Sequence, residues 1–471
     1  MSARDLVIIG GGAGGLVVAS VAAQLGLAVT LVERSQRLGG DCLHHGCVPS
    51  KALIRTAEVA SLMRRAADFG LPAVAPQVDM ARVSAHVRAV IEEIQHHDDP
   101  ERFRDYGCEV LLGESAEFLS PREVRVGDRR IRARRFVLAT GSGPFVPPIE
   151  GLREAGFLTN LDVFSLRTLP RRLVVLGAGP IGLELGQAFA RLGSRVTVVE
   201  RLPRPLPHED PEITDALLAR LAAEGVEVRV STEVRRVRRS GETTIVECSD
   251  GRALEADALL VAVGRSPNVA GLGLDAAGVR HGARGVEVDR RMRTSQHHIY
   301  ACGDVCGPYA FTHMAEYQAG IVIANAVFRF PKRADYRVVP RVTFTDPELA
   351  HVGMTEAQAR ERGITPDVLR FPFRDVDRAI TERECAGLVK LVAHRGRLLG
   401  ASVLGPRGGE LLHELALAMT AGVRLGAISA TIHAYPTLSQ VHRRAVNAGL
   451  GKRLFSRGTR RLVRMIHRLL P

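Results

Sequence analysis

From Leu6 to Val32 the chain is apolar except at Ser20, Gln24 and Thr30, a run that by length alone matches a membrane span. Five glycines fall between Gly10 and Gly15, though. So dense a cluster interrupts a lipid-exposed helix and suits a turn between strand and helix. The pattern therefore predicts a buried strand, a glycine turn, a helix and a second strand, a soluble βαβ unit. The same pattern returns at an offset of 167 residues. LVIIGGGAGGLVVASVAAQLGLAVTLVER (6–34) lies over LVVLGAGPIGLELGQAFARLGSRVTVVER (173–201), with 14 of 29 positions identical. Gly10, Gly12 and Gly15 align with Gly177, Gly179 and Gly182, and Glu33 aligns with Glu200.

In each copy the acid follows the first glycine by 23 residues. The first glycine permits a tight turn, the second lets the backbone approach a pyrophosphate, and the third lets helix pack on strand. The helix N-terminus faces the anion, and the acid accepts a hydrogen bond from an adenosine ribose hydroxyl. One such glycine motif is weak evidence. Two complete copies with equally spaced acids predict two bound adenine dinucleotides.

The length of 471 residues suits two or three domains, and 46% hydrophobic with 24% charged residues excludes disordered and fibrous classes. Seven cysteines are too few for a disulfide scaffold and argue for a reducing compartment. MSARD offers no positive region before a cleavage site, so no signal peptide is expected and the location reads as cytoplasmic. Lys plus Arg exceed Asp plus Glu by 64 − 51 = 13, and only four of the 64 are Lys. No aromatic–basic interleaving accompanies the excess, so no nucleic-acid partner is expected.

Residues 39–51 read GGDCLHHGCVPSK. Five helical residues rise ~7.5 Å, just beyond the usual Cα separation of a disulfide, so Cys42 and Cys47 can close only where the backbone leaves a regular helix. Gly46 and Pro49 supply such a place, and Cys47 then stands near a helix N-terminus, which favours a thiolate. A buried cysteine pair and half a zinc site are the alternatives, but no second C-x-x-C or His cluster completes a metal site, and no metal is expected. A redox dithiol is the better reading. Cys302 reads as a small core residue, and Cys108, Cys248 and Cys385 have no partner by spacing.

The GGxCxxxGCxPSK string behind an N-terminal glycine fingerprint resembles the class I pyridine nucleotide–disulfide oxidoreductases, the family of dihydrolipoamide dehydrogenase, glutathione reductase and mercuric reductase. The likeness runs over roughly residues 4–450. ATG at 139–141 (Thr140, Gly141), YACGD at 300–304 (Gly303, Asp304), VGR at 263–265 (Gly264) and VTFTDPELAHVG at 342–353 follow in family order, and the local strings look most like mercuric reductase. The resemblance implies an α/β fold with two Rossmann-like dinucleotide-binding domains and a C-terminal α+β dimerisation domain. The FAD domain is expected at 1–147 and 272–335, the NAD(P) domain at 148–271 and the interface domain at 336–450. It further implies that the first copy binds FAD, the second a nicotinamide dinucleotide, and that the chain is a homodimer. Cys47 would be the flavin-facing thiol, Cys42 the interchange thiol, Lys51 a neighbour of the flavin, and Glu184 its ion-pair partner. Asp304 would meet the ribityl chain. Glu200 favours NAD(H) over NADP(H), since it repels a 2′-phosphate.

The family's C-terminal HxHPTxxE is here His433-Ala434-Tyr435-Pro436-Thr437-Leu438-Ser439-Gln440. Tyr435 stands at the catalytic histidine position, and a phenol titrating near ~10 is a poor base. Gln440 replaces the orienting carboxylate, while His433 is kept. Electrons are thus expected to pass from NAD(P)H through FAD and Cys42–Cys47 to a disulfide or thiol-bound metal. The alternative is a quinone or dye reductase, or a membrane-docked redox sensor, with a vestigial dithiol. The C-terminal cysteine pair of mercuric reductases is not seen.

Residues 451–471 hold seven Lys or Arg and no acid. Leu462, Val463, Met465, Ile466, Leu469 and Leu470 fall on one face of a helix and Arg460, Arg461, Arg464 and Arg468 on the rest. The stretch predicts peripheral contact with an anionic membrane or packing on the protein's own dimer.

Overall fold

The chain opens with strand β1 (Arg4–Ile9), helix α1 (Ala13–Gln24), β2 (Val29–Glu33), the short α2 (Gly40–His44) and α3 (Cys47–Arg64). It continues through β3 (Cys108–Leu112), β4 (Ala116–Ser120), β5 (Glu123–Val126) and β6 (Arg129–Leu138). The structure, a computed structural model, describes residues 3–470, the side chains of 452 and 453 excepted. Two compact units divide it: residues up to 57, 77–177 and 234–336 form one, and 58–76, 178–233 and everything from 337 onward form the other.

In the first unit β1 is buried on both faces, which explains its unbroken apolar run. Leu6 and Ile8 pack with Val18, Ala19 and Ala22 of α1, while Val7 and Ile9 join Phe118, Val124 and Phe136 on the opposite side. Sheet order is β3-β2-β1-β6-β5-β4, and Ile299–Ala301 also pairs with β6. The β1, β2, β3 and β6 pairings are parallel, with Val7 opposite Thr30 and Ile9 opposite Leu138, whereas β4, β5 and β6 form an antiparallel meander. The glycine turn after β1 therefore opens at the C-terminal edge of a parallel sheet, where open α/β folds bind nucleotides. Arg172–Leu176, the opening strand of the second copy, runs parallel to Ala258–Val261 in the same unit.

In the second unit helix Pro180–Leu192 begins with proline at its first turn, as a fixed φ allows. Arg195–Val199 pairs in parallel with Glu227–Arg229. A five-stranded antiparallel sheet follows from Arg341 to Gly405. Its apolar face, with Val352, Val389, Leu391 and Val403, is covered by Leu412 and Leu415 of helix Gly408–Thr420 and by Val441 and Val446 of helix Gln440–Leu454. Lys390 is buried on this sheet, its Nζ 2.8 Å from Asp210 Oδ2, 3.0 Å from Glu212 Oε2 and 2.8 Å from Glu356 Oε2.

Candidate active site

Both glycine turns build the same local device. After β1, Gly10 has φ +110° and a Cβ there would lie 2.3 Å from Ala139 O; a Cβ on Gly15 would lie 1.9 Å from Gly10 O. Only glycine fits either place. Glu33 Oε2 accepts the Gly11 N–H at 2.7 Å and its Oε1 accepts the Ser35 N–H at 2.8 Å. In the second copy Glu200 Oε2 accepts the Ala178 N–H at 2.8 Å and its Oε1 accepts the Leu202 N–H at 2.8 Å. The repeat seen in letters is thus a repeat in hydrogen bonds. Gly12 and Gly179 precede their helices without a side-chain cap, which leaves first-turn N–H groups for an anion. Gly177, with φ +100°, carries the second turn close against Ala262 O.

Around the first turn, Gly141 has φ +67°, and the Thr140 hydroxyl donates to Asn268 O at 2.8 Å while Asn268 Nδ2 donates back to Thr140 O at 2.8 Å. The Gly303 N–H donates to Gln318 Oε1 at 2.8 Å. The Asp304 carboxylate accepts the Ser142 hydroxyl at 2.6 Å, and Ser142 Oγ in turn accepts Arg265 Nε at 2.7 Å. Gly264, with φ +138°, immediately precedes that arginine. These glycines, uncapped N–H groups and carboxylates suit a dinucleotide in each copy.

The dithiol segment is fastened to the first turn. Gly39 and Gly40 have φ +108° and +61°, and a Cβ on Gly40 would come within 2.8 Å of Gly12 Cα. Helix α2 carries Cys42 and ends at His44; α3 begins at Cys47, with Pro49 in its first turn. Between them Gly46 sits 3.0 Å, at its Cβ position, from Asp41 O. The backbone therefore leaves helical geometry between the two cysteines. Both sulfurs stand as thiols in hydrogen-bonding contact, and that contact, together with burial, pushes the Cys42 thiol up. Cys47 Sγ also lies 3.3 Å from the Thr312 hydroxyl. Asp41 is clamped by Arg265 Nη2 at 2.9 Å and by Asn160 Nδ2 at 3.2 Å. Lys51 Nζ donates to Ser50 Oγ at 3.3 Å, and Ser50 Oγ to Cys47 O at 3.2 Å.

In the second unit Glu184 is buried and its Oε1 accepts the Phe344 N–H at 2.9 Å. The segment around Tyr435 is organised by a residue not visible from spacing, Glu414 of helix Gly408–Thr420. Glu414 Oε1 lies 3.0 Å from His433 Nε2 and Oε2 lies 2.9 Å from His442 Nδ1. Burial opposes the Glu414 charge, but hydrogen bonding to His442 and His433 outweighs it and holds the carboxyl below its ordinary range. The second His433 nitrogen, Nδ1, faces Thr431 O at 3.0 Å, so both ring nitrogens are engaged. Gln440 Nε2 donates to the carbonyls of His433 and Ala434 at 3.1 and 3.3 Å, which leaves Tyr435 projecting at 71% exposure.

Cys302 and Cys306 are buried, and burial pushes the Cys302 thiol up to about 12. Among the described residues no three His, Cys, Asp or Glu side chains gather as a metal site, and no helix is long and apolar enough to cross a membrane. Sequence reasoning missed Asn160, Asn268, Thr312 and Glu414, none of which carries a local spacing signal, and from VGR at 263–265 it singled out Gly264 rather than Arg265.

Two matching dinucleotide turns and a cysteine pair fastened to one of them define a flavin-linked, nicotinamide-dependent oxidoreductase with a dithiol relay. The chain belongs to the pyridine nucleotide-disulphide oxidoreductase family, whose main domain matches residues 4–319 and whose dimerisation domain matches 339–446. It is 36% identical to a mercuric reductase of Bacillus cereus over 93% of this chain and 70% of that one, and 37% identical to one of Streptomyces lividans, covering 93% and 94%. It is also 39% identical to a dihydrolipoyl dehydrogenase of Thermus scotoductus over 93% and 96%. The Cu(II) complex of the HOCl-induced flavoprotein disulfide reductase RclA of Escherichia coli superposes with a TM-score of 0.86 at 30% identity, covering 93% of this chain and 99% of that one. The protein is an FAD-dependent NAD(P)H oxidoreductase.

Proposed function

We propose that this enzyme works in the cytoplasm as a homodimer that takes electrons from NADH and delivers them, through FAD and the Cys42–Cys47 pair, to a soft metal ion carried by small thiols. FAD, when bound, accepts the hydride and passes on an electron pair. Gly10, Gly12, Gly15, Glu33, Thr140, Gly141, Gly303 and Asp304 would hold it, and Gly177, Gly179, Gly182, Glu200 and Gly264 the nicotinamide dinucleotide.

Two electrons and one proton open the Cys42–Cys47 bond to one thiol and one thiolate. The neighbour and the burial that push Cys42 up keep the proton there, which supports Cys47 as the flavin-facing thiolate and Cys42 as the thiol that meets the acceptor. Lys51, four residues after Cys47 on the same helix, would favour that charge.

The acceptor reading rests on one observation: Tyr435 stands at the base position, and both nitrogens of the nearby His433 are engaged. Exchange with a disulfide releases a thiolate that must collect a proton. On a thiol-bound metal ion the Cys47 thiolate and the Cys42 thiol displace two thiolate ligands, one of which takes the Cys42 proton, so ligand exchange needs no outside base. A further electron pair from NADH by way of FAD then reduces the bound ion and frees both sulfurs as thiolates. The names of the mercuric reductase relatives agree.

The test follows NADH oxidation by the FAD-loaded enzyme with thiol-complexed Hg(II), Cu(II), lipoamide, glutathione disulfide and a quinone. The expected kcat/KM for a thiol-bound metal exceeds that for lipoamide by at least about a hundredfold, the worth of a missing general base. Comparable lipoamide turnover overturns the choice of acceptor. Quinone reduction at full rate in a Cys42→Ser/Cys47→Ser double variant, with metals inert, shows the pair to be vestigial.

A further inference from the structure

The last helix, Arg457–Leu469, starts where the Ser456 hydroxyl accepts the Thr459 N–H at 3.3 Å. Thirteen residues make it about 20 Å long. Every residue on its apolar ridge is open: Leu462 51%, Val463 45%, Met465 53%, Ile466 41% and Leu469 70% exposed, with Leu470 at 67% beyond the end. Leu454 and Phe455, just before the helix, are also open at 60% and 65%. Soluble surfaces rarely leave so long a run of large apolar side chains in water.

Charge decides what covers it. Arg457, Arg460, Arg461, Arg464 and Arg468 surround the ridge, and no acid occurs from 451 to 471. Among the described residues, no ion pair engages any of these five arginines, although ion pairs occupy many arginines elsewhere in the chain. A second copy of this chain, itself basic at +13, would have to answer five unbalanced guanidinium groups while burying the ridge. A nucleic acid would answer the charge and leave the ridge wet. A bilayer with anionic headgroups answers both, and a helix of this length lies in its interface without crossing.

We propose that Arg457–Leu470 docks the enzyme on an anionic bilayer surface, its leucine and isoleucine ridge among the acyl chains and its arginines at the phosphate level. Arginine suits that level because its planar fork binds phosphate in pairs of hydrogen bonds. Each guanidinium near the headgroups multiplies partitioning about fivefold.

The experiment is flotation of the full-length, FAD-loaded protein with phosphatidylcholine vesicles, with or without about one third phosphatidylglycerol, at low and high salt. Dimer mass is followed in parallel by sedimentation velocity, and no readout depends on the acceptor. Binding is expected only to the anionic vesicles, falling steeply with salt. Arg460→Glu/Arg464→Glu should weaken it at least about 25-fold, and Leu462→Gln/Ile466→Gln at least tenfold, with FAD absorbance and dimer mass retained. Absence of flotation at low salt, or equal binding to neutral vesicles, overturns the proposal. So does dissociation of the dimer by Leu462→Gln/Ile466→Gln, which would place the ridge on a second copy. Binding to a nucleic-acid duplex in preference to anionic vesicles overturns it as well.

Discussion

Replacing Glu414 with glutamine separates the charge at the Tyr435 segment from its shape. The carboxylate, 32% exposed, spans His433 and His442 at 3.0 and 2.9 Å. A hydrogen bond to a charged partner is worth about 1.5–3 kcal/mol, and a carboxamide keeps the volume and one acceptor. Half of the two-bond total should therefore go, about 1.5–3 kcal/mol, and the loss falls on residues 431–442. Global unfolding of a multidomain chain is a poor gauge of so local a term. Amide hydrogen exchange read on peptides from this segment is the direct one. At neutral pH the variant should exchange about 10- to 150-fold faster there, with peptides of β1–β3 unchanged. The sign with pH follows from the depressed Glu414 pKa. The stabilisation is complete above the unfolded carboxyl value, and it fades as pH falls through the lower folded value. The variant-to-parent ratio should accordingly shrink toward one on acidification. A ratio within threefold at neutral pH would show that Glu414 does not hold the segment.

Three further outcomes are expected. Two-electron reduction of the FAD-loaded protein should produce long-wavelength thiolate-to-flavin absorbance that Cys47→Ser abolishes and Cys42→Ser keeps; a band surviving Cys47→Ser refutes the assignment of the two sulfurs. Glu200→Ala should raise the NADPH-to-NADH ratio of kcat/KM by about tenfold or more, since the acid repels a 2′-phosphate; an unchanged ratio in stopped-flow reduction argues against it. Lys390→Met strands Asp210, Glu212 and Glu356 around a buried site and should cost about 3–5 kcal/mol in urea titrations of the second unit. Because the bereft carboxyls would take up protons more readily, that gap should narrow as pH is lowered, and a gap that widens would contradict the cluster's role.

Much of the site could be read from the chain because its causes are local. A positive-φ glycine, an acid at fixed spacing and a proline in a first helical turn act within a few residues, and Gly10, Glu33, Gly177, Glu200 and Pro49 all stand where that logic puts them. The exposed ridge of the last helix was likewise written in its own periodicity. Arg265 was not. It reaches Asp41 across 224 residues, and Glu414 reaches His433 across 19 from a neighbouring helix. Such pairs depend on which elements the fold brings together, and neither partner has a sequence neighbour that betrays the other. His433 shows the cost: the motif points to an imidazole near the chemistry, while the side chain that engages it sits on another helix.

Gly40 has no room for even a methyl group because the glycine turn of the dinucleotide site passes directly behind it. The segment that carries the sulfur pair and the first glycine turn thus meet at a single backbone crossing, not as separate modules joined by a linker. Thermodynamic reciprocity then ties the grip on the cofactor to the bonding state of the cysteines: whichever state of the pair strengthens cofactor retention is itself favoured, by the same factor, when the cofactor is in place. With FAD held at the first glycine turn, as proposed, its binding and the state of the sulfur pair would share one equilibrium.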